Sequence, residues 1–257
     1  MSKSFAEWAS STILINQAHL DVLREFLKID LIIERAFDIN LVASDSFEVV
    51  RLDLGRTSSL HWSRVFEYPW AVLNGELKSN DIVLDAAGGK GILQFYLSSN
   101  CKQVVNADLD INGISKALQE TFLGRPLSYY FPNIKIEQND IAKLNYADSY
   151  FDKAFCISAL EHTQDVEGCI TELMRVVKPG GFVIGTVDVA PIIRHNHTID
   201  IDRITHILSK YGVKIPMCEG CGRKPLNVLS HTFDEENPSP TEAKTVELNV
   251  LCFKIYK

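Results

Sequence analysis

Glycine is missing from the start of this chain: none precedes Gly55. No apolar run reaches the roughly 18 residues that crossing a bilayer requires, so no membrane span is expected. Residues 1–8 also lack the long apolar core of a signal peptide. No Lys/Arg-rich block is present, and the net charge of −7 argues against broad electrostatic binding of nucleic acid. The six cysteines are scattered at Cys101, Cys156, Cys169, Cys218, Cys221 and Cys252. Three of them fall inside apolar runs and read as small core residues. Reduced thiols and a cytoplasmic location are the simplest expectation. Cys218 and Cys221 form a lone C-x-x-C; two thiols cannot complete a four-ligand zinc site, so no metal is expected. Internal repeats and low-complexity tracts are absent.

What is present suits a soluble α/β protein. The 257 residues are 46% hydrophobic and 23% charged, enough to bury one large core without staples. Residues 1–60 read as a helical cap or extension. Val22, Phe26, Ile29, Ile33 and Phe37 share one helical face, widened by Leu20, Leu23, Leu27 and Leu31. That face packs the core, a partner in a homodimer, or the mouth of a site. Residues 61–70 are dense in aromatics, and Pro69 suits the first turn of a helix running to about Leu77. Within that segment Tyr68 and Trp70 are candidates for substrate contact, with Arg64 a weaker one.

Residues 82–91 organise the rest. Ile82, Val83 and Leu84 read as a buried strand, Asp85 stands where it ends, and Ala86-Ala87-Gly88-Gly89-Lys90-Gly91 is a glycine-rich turn. A helix follows, with Ile92, Phe95, Tyr96 and Ser99 expected on one face. Such a unit places a ligand over the carboxyl ends of a parallel sheet. Asp85 narrows the choice of ligand. A carboxylate before the turn opposes the pyrophosphate of a dinucleotide and suits a positive group. S-adenosylmethionine carries an ammonium and a sulfonium. A second strand ends in Asp108, about 20 residues past the glycines, where a carboxylate accepts hydrogen bonds from a ribose diol. Asp110 caps the helix after it, whose expected apolar face is Ile111, Ile114, Leu118 and Phe122. A third strand, 134–137, leads to Asn139-Asp140-Ile141. A fourth exits through Ser158-Ala159-Leu160-Glu161-His162. The helix beyond it carries the stripe Val166, Cys169, Ile170, Leu173, Val176 and Val177, and stops at Pro179-Gly180-Gly181. The fifth strand is 182–187, a helical face follows at Ile201, Ile204, Leu208 and Tyr211, and residues 226–229 and 246–256 close the sheet as strands.

The turn resembles the D-x-G-x-G-x-G motif of class I S-adenosylmethionine-dependent methyltransferases, with Ala87 in the place of the first glycine. Either Ala87 keeps a negative φ or Gly88 takes the unusual angle. The block 149–187 is similar to the small-molecule branch that includes ubiquinone-biosynthesis enzymes. Its matching pieces are Phe151-Asp152, Leu160-Glu161-His162 and the run from Glu172 through Arg175 to Gly181. The resemblance covers residues 62 to about 190.

It implies a Rossmann-like doubly wound α/β sheet, mostly parallel, with an antiparallel C-terminal strand and the N-terminal helical extension; residues 61–257 would form the methyltransferase domain. It implies cofactor contacts at Asp85, Ala86, Ala87, Gly88, Gly89, Gly91, Asp108, Leu109, Asp140, Ile141 and Ser158. The expected reaction is methyl transfer to nitrogen or oxygen of a small metabolite. His162 is the expected base, since its free pKa lies near working pH, with Glu161 beside it. Asp188, His195 and His197 lie in loops that would face the acceptor. Two other readings stay open: a non-catalytic S-adenosylmethionine-binding protein and a nicotinamide-dependent oxidoreductase.

Overall fold

The computed structural model describes residues 3–10, 16–36, 51–52, 56–57, 63–119, 121–122, 125–190, 198–217, 230–234 and 245–257. The chain opens with strand β1 (Phe5–Trp8) and helix α1 (Gln17–Ala36), then the short strands β2 (Arg51–Leu52) and β3 (Arg56–Thr57), then helix α2 (Arg64–Asn74). Strand and helix now alternate: β4 (Ile82–Ala86), α3 (Leu93–Asn100), β5 (Gln103–Asp108) and α4 (Asn112–Gln119). A small hairpin, β6 (Thr121–Phe122) and β7 (Arg125–Pro126), leads through α5 (Leu127–Tyr130) to β8 (Ile134–Gln138). The second half runs β9 (Phe151–Ile157), α6 (Val166–Val176), β10 (Val177–Ala190), β11 (Ile199–Asp200), α7 (Ile201–Ser209), β12 (Ser230–Asp234) and β13 (Thr245–Tyr256).

The main sheet has the order β1-β13-β10-β9-β4-β5-β8. β4 pairs in parallel with β5 on one side and β9 on the other. The chain therefore reverses its direction of winding between β4 and β9, and such a switch point opens a crevice at the carboxyl ends of the strands. β13 runs antiparallel to β10, from Phe182↔Tyr256 to Val189↔Asn249. This is the mostly parallel, Rossmann-like sheet with an antiparallel C-terminal strand that the family resemblance implies. β1 and β12 divide the outer edge of β13: β1 takes Leu251 to Lys254 and β12 takes Thr245 to Asn249. The segment 1–60 thus supplies an edge strand as well as α1. The Leu226–Leu229 stretch expected as a strand lies outside the described residues, as does Phe37.

Both faces of the sheet are covered, so β9 is almost continuously apolar, with Phe151, Ala154, Phe155 and Cys156 fully buried. On one face α6 inserts Val166, Cys169, Ile170, Leu173 and Val176, and α7 adds Ile204, Ile207 and Leu208. On the other, α1, α2 and α3 bring Phe26, Phe66, Phe95 and Leu97 together. Each such side chain contributes about 1.5–3 kcal/mol by leaving water. Cys101, Cys156, Cys169 and Cys252 are buried and free.

Three local expectations shift. α3 begins at Leu93 and buries Leu93, Gln94, Phe95, Leu97 and Ser98, while Ser99 is exposed. The helix is wedged between the sheet and α1, where Phe26 stacks on Tyr96 at 4.7 Å, so two sides are covered rather than one. α4 ends at Gln119 and Phe122 falls in β6. Pro69 sits inside α2, not in its first turn, because the helix starts at Arg64. Proline has no N–H, so the carbonyl of Val65, four residues back, loses its helical donor. The ring of His19 replaces it, with Nε2 3.0 Å from that oxygen. A carbonyl only accepts, so Nε2 carries the hydrogen. Burial lowers the His19 pKa from its ordinary value and keeps the ring neutral.

Candidate active site

The glycine turn after β4 is fixed from beneath by polar side chains. Asn106 of β5 donates from Nδ2 to the Gly89 carbonyl at 3.0 Å. Gln94 of α3 donates to the carbonyls of Gly91 at 2.9 Å and Gly89 at 3.3 Å. Both side chains are fully buried. They tie down the loop carbonyls, a job that sequence reasoning missed; a buried amide in an apolar strand and another just inside a helix were the available signals.

Ala87 adopts φ 52° and Gly89 φ 51°, whereas Gly88 keeps a negative angle. Of the two alternatives left open for this turn, neither holds: the alanine itself takes the left-handed conformation, which costs an L-residue about 1–2 kcal/mol. Its N–H is held by the Ala107 carbonyl at 2.7 Å, which secures the angle. Gly88 is required for space instead. A Cβ there would lie 2.5 Å from Asp85 Oδ2. At Gly91 a Cβ would lie 2.7 Å from the Tyr68 hydroxyl, so Tyr68 of α2 rests on the turn.

Asp85 is 2% exposed, and its Oδ2 is buried with no hydrogen-bond partner. Burial, and then the charge of Asp108, push its pKa up to about 7. Ala86 beside it is fully buried. Asp108 is half-buried at the end of β5. Its Oδ2 accepts the Gly89 N–H at 2.9 Å and its Oδ1 the Asp110 N–H at 2.9 Å. A carboxylate has about four lone-pair sites, so each oxygen retains one. Leu109, next in sequence, is 64% exposed. Asp140 is exposed and folds its own turn, accepting from the Ala142 N–H at 2.9 Å, while Ile141 is buried. These groups stand along the carboxyl ends of β4, β5 and β8.

A second group stands past β9 and β10. Ser158 has φ 43° and is buried; its N–H donates to the Thr186 carbonyl at 3.1 Å, and its hydroxyl donates to Glu67 Oε1 at 2.5 Å. Thr186 also donates its hydroxyl to Glu67, and Arg64 forms an ion pair with the same carboxylate. Glu67 is fully buried. Burial opposes its ionisation, but Arg64 and the two hydroxyls outweigh that and hold its pKa below the ordinary value. Glu67 thus locks α2 to the tips of two strands. Its two hydroxyl partners lie 91 and 119 residues away, so only Arg64, three residues back in the same helix, was a local partner.

Glu161 and His162 share one 3₁₀ turn, Leu160–His162, but diverge: Glu161 is 5% exposed and His162 is exposed. The Asp188 N–H donates to Glu161 Oε1 at 3.4 Å. Glu161 Oε2 and Asp188 Oδ1 are both buried without partners. Burial, and then Asp188, raise the Glu161 pKa well above its ordinary value. Burial, and then Glu67, push Asp188 up to about 7. Burial likewise lifts the Tyr68 hydroxyl to about 12. Trp70 is turned away from this group: it donates to Glu7 and packs edge-on to Phe5 at 6.2 Å, both in β1. His195, His197, Cys218 and Cys221 lie outside the described residues. Among the described residues, no group of three or more His, Cys, Asp or Glu is arranged to hold a metal ion, and no helix is long and apolar enough to cross a membrane.

The site is thus a doubly wound sheet with acidic strand tips around a glycine turn. Residues 84–185 match the family model described as a methyltransferase domain, so the resemblance read from the turn and the 149–187 block holds. A demethylmenaquinone methyltransferase of Desulfitobacterium hafniense is 33% identical over 117 residues, covering 44% of this chain and 45% of that protein. Phosphoethanolamine N-methyltransferase 3 of Arabidopsis thaliana is 33% identical over 112 residues, 43% of this chain and 22% of the other. Further relatives bear names of C-methyltransferases acting on sterols or in ubiquinone and menaquinone biosynthesis. The chain spans less than half the length of these curated relatives. Among solved structures, the YcgJ protein of Bacillus subtilis superposes with a TM-score of 0.56 at 13% identity, covering 74% of this chain and 98% of that one. That likeness establishes the fold.

Proposed function

We propose that this protein transfers a methyl group from S-adenosylmethionine to a nitrogen or oxygen atom of a small metabolite. One observation carries the reading: Asp85 presents a buried carboxylate oxygen without a partner, directly under a turn that only glycine fits at position 88. Such an oxygen calls for a cationic donor, and a dinucleotide pyrophosphate would be repelled there. The free lone pairs of Asp108 suit a ribose diol, and the exposed Leu109 suits the face of an adenine ring, with Asp140 and Ile141 at its edge. The remaining turn residues, Ala86, Ala87, Gly89 and Gly91, and Ser158 would complete the cradle.

When bound, S-adenosylmethionine supplies a methyl group already activated by a sulfonium. The protein's part is then to hold the acceptor atom close and in line, and to take a proton where the acceptor must lose one. Burial and the absence of a partner on Oε2 favour Glu161 over the exposed His162 as that base. Tyr68 and Asp188 would line the acceptor side, with His195 and His197 as further candidates; the indole of Trp70 is engaged by β1.

Calorimetric titration tests the cofactor. S-adenosylmethionine and S-adenosylhomocysteine should bind, NAD(P) should not, and Asp85→Asn should weaken both by about tenfold or more. Tight NAD(P) binding without binding of either sulfur nucleotide would reject the proposal. Mass analysis of products from labelled methyl donor and a metabolite panel then reads whether nitrogen, oxygen or carbon is methylated. Cofactor binding with no methylated product across the panel would favour a non-catalytic binding protein.

A further inference from the structure

Among the described residues, three of the buried polar atoms without partners are Glu161 Oε2 in the turn past β9, Asp188 Oδ1 near the end of β10 and Thr198 Oγ1 just before β11. Glu161 is 5% exposed and Thr198 7%. β10 and β11 are parallel, with Val189 opposite Ile199. Carried back one residue, that register sets Thr198 beside Asp188 on the same face. Thr186, two residues before Asp188, shares that face and reaches Glu67. Arg64 forms its ion pair with Glu67, and its charge only partly offsets the burial of Glu161 and Asp188. What remains is a set of two carboxyl groups and one hydroxyl with open acceptor positions and no ion-pair partner of their own among the described residues.

Buried acceptors left open in this way destabilise the fold, and strand tips retain such groups where a ligand satisfies them. The chemistry that fits is a donor-only cation with several hydrogens on one small centre. A phenol or an alcohol offers one hydrogen and no charge. A carboxylate or phosphate would be repelled. Building on the methyltransferase reading above, we infer that Glu161, Asp188 and Thr198 receive the ammonium group of an amine substrate, so that the acceptor atom is nitrogen. A primary ammonium brings three N–H donors for three acceptors. One proton passes from nitrogen to a carboxylate oxygen of the Glu161–Asp188 pair, and rotation about the substrate's C–N bond turns the freed lone pair away from that oxygen toward the methyl. Nitrogen then forms its bond to the methyl carbon as that carbon's bond to sulfur breaks, the sulfur keeping the electron pair and the product leaving as a methylated ammonium. Glu161 and Asp188 touch the reacting nitrogen; Glu67 is a positioning residue, holding Thr186 and Ser158 in place.

The test is calorimetric titration of benzylamine, ethanolamine and 1,4-diaminobutane, each against its hydroxyl counterpart, into protein saturated with S-adenosylhomocysteine. At least one amine should bind about tenfold or more tightly than its alcohol. That preference should fall by about tenfold in Glu161→Gln and in Asp188→Asn, and by a smaller factor in Thr198→Val. S-adenosylhomocysteine affinity should stay within about twofold in all three, since none of them faces the nucleotide. Equal binding of amines and alcohols, or an amine preference that survives both carboxyl substitutions, would overturn the inference. Failure of the nucleotide to bind the unsubstituted protein would instead defeat the cofactor reading. The same amine titration on nucleotide-free protein would still judge the acidic pair.

Discussion

The contact between His19 and helix α2 offers a sharp test of how this site is held. Pro69 deprives the Val65 carbonyl of its helical N–H, and His19 Nε2 supplies the hydrogen bond at 3.0 Å. Replacing His19 by leucine keeps the apolar packing against Phe66, whose ring centroid lies 5.6 Å away, but leaves a buried carbonyl without a donor. The expected loss is about 1–3 kcal/mol. For a chain of this size that lowers the melting temperature by about 3–9 °C. The double variant carries the argument. Pro69→Ala restores a backbone N–H aimed at Val65, which is redundant when His19 is present and needed when it is not. Urea unfolding of the four proteins should therefore give a coupling of about 1 kcal/mol, with Pro69→Ala helping more in the His19→Leu background. Since α2 also carries Arg64, Glu67 and Tyr68, His19→Leu should weaken S-adenosylhomocysteine binding in the same order. A loss below about 0.3 kcal/mol, or strict additivity, would refute the reasoning.

Two further outcomes follow from the same structure. Ala87→Gly relieves about 1–2 kcal/mol of left-handed strain, offset by about 0.4–1 kcal/mol of added freedom in the unfolded chain. A net gain of about 0.5–1 kcal/mol in urea unfolding is expected, and a loss would show that the alanine methyl matters more to packing than its angle costs. Asp188 and Asp85 are raised from 3.8 to about 7, so the folded protein binds more protons than the unfolded one between those values. Their contribution is most favourable below about pH 4 and is lost as pH rises through about 7, by up to about 1.4 kcal/mol per pH unit for each group. His19, lowered by burial, acts oppositely, its contribution falling away below about pH 6.5. The difference between the parent protein and Asp188→Asn cancels the histidine. The variant should become relatively more stable from pH 5 to 8, and a constant difference across that range would contradict the assignment.

The parts of the fold legible in the sequence are those where local chemistry decides. The α6 stripe from Val166 to Val176 is buried as its spacing requires, and the expected α7 face is buried at Ile204 and Leu208. The glycine turn, Asp85 and Asp108 were legible for the same reason: a strand, a carboxylate and a tight turn follow within a few residues. Pro69 misled because propensity places proline in a first turn, whereas a tertiary donor from α1 makes an interior position tolerable. Ala87 misled because a backbone angle is set by the loop's anchoring, through Asn106, Gln94 and Ala107, and not by the residue's own preference.

The polar group past β9 and β10 was least legible, and the reason is geometric. Glu67 comes from α2, Ser158 from the end of β9, and Thr186 and Asp188 from β10. The sheet order, not sequence proximity, brings them together. A carboxylate in an aromatic helix shows locally only its guanidinium partner three residues back, and gives no sign that two distant hydroxyls will close around it. The same logic separates Glu161 from His162. They are adjacent in sequence, and the histidine has the more suitable free pKa, yet one tight turn sends the glutamate inward and leaves the histidine exposed. Once burial is known, intrinsic pKa ceases to be the deciding property: a carboxyl raised by desolvation beside a second carboxyl is the group whose protonation a bound cation would change.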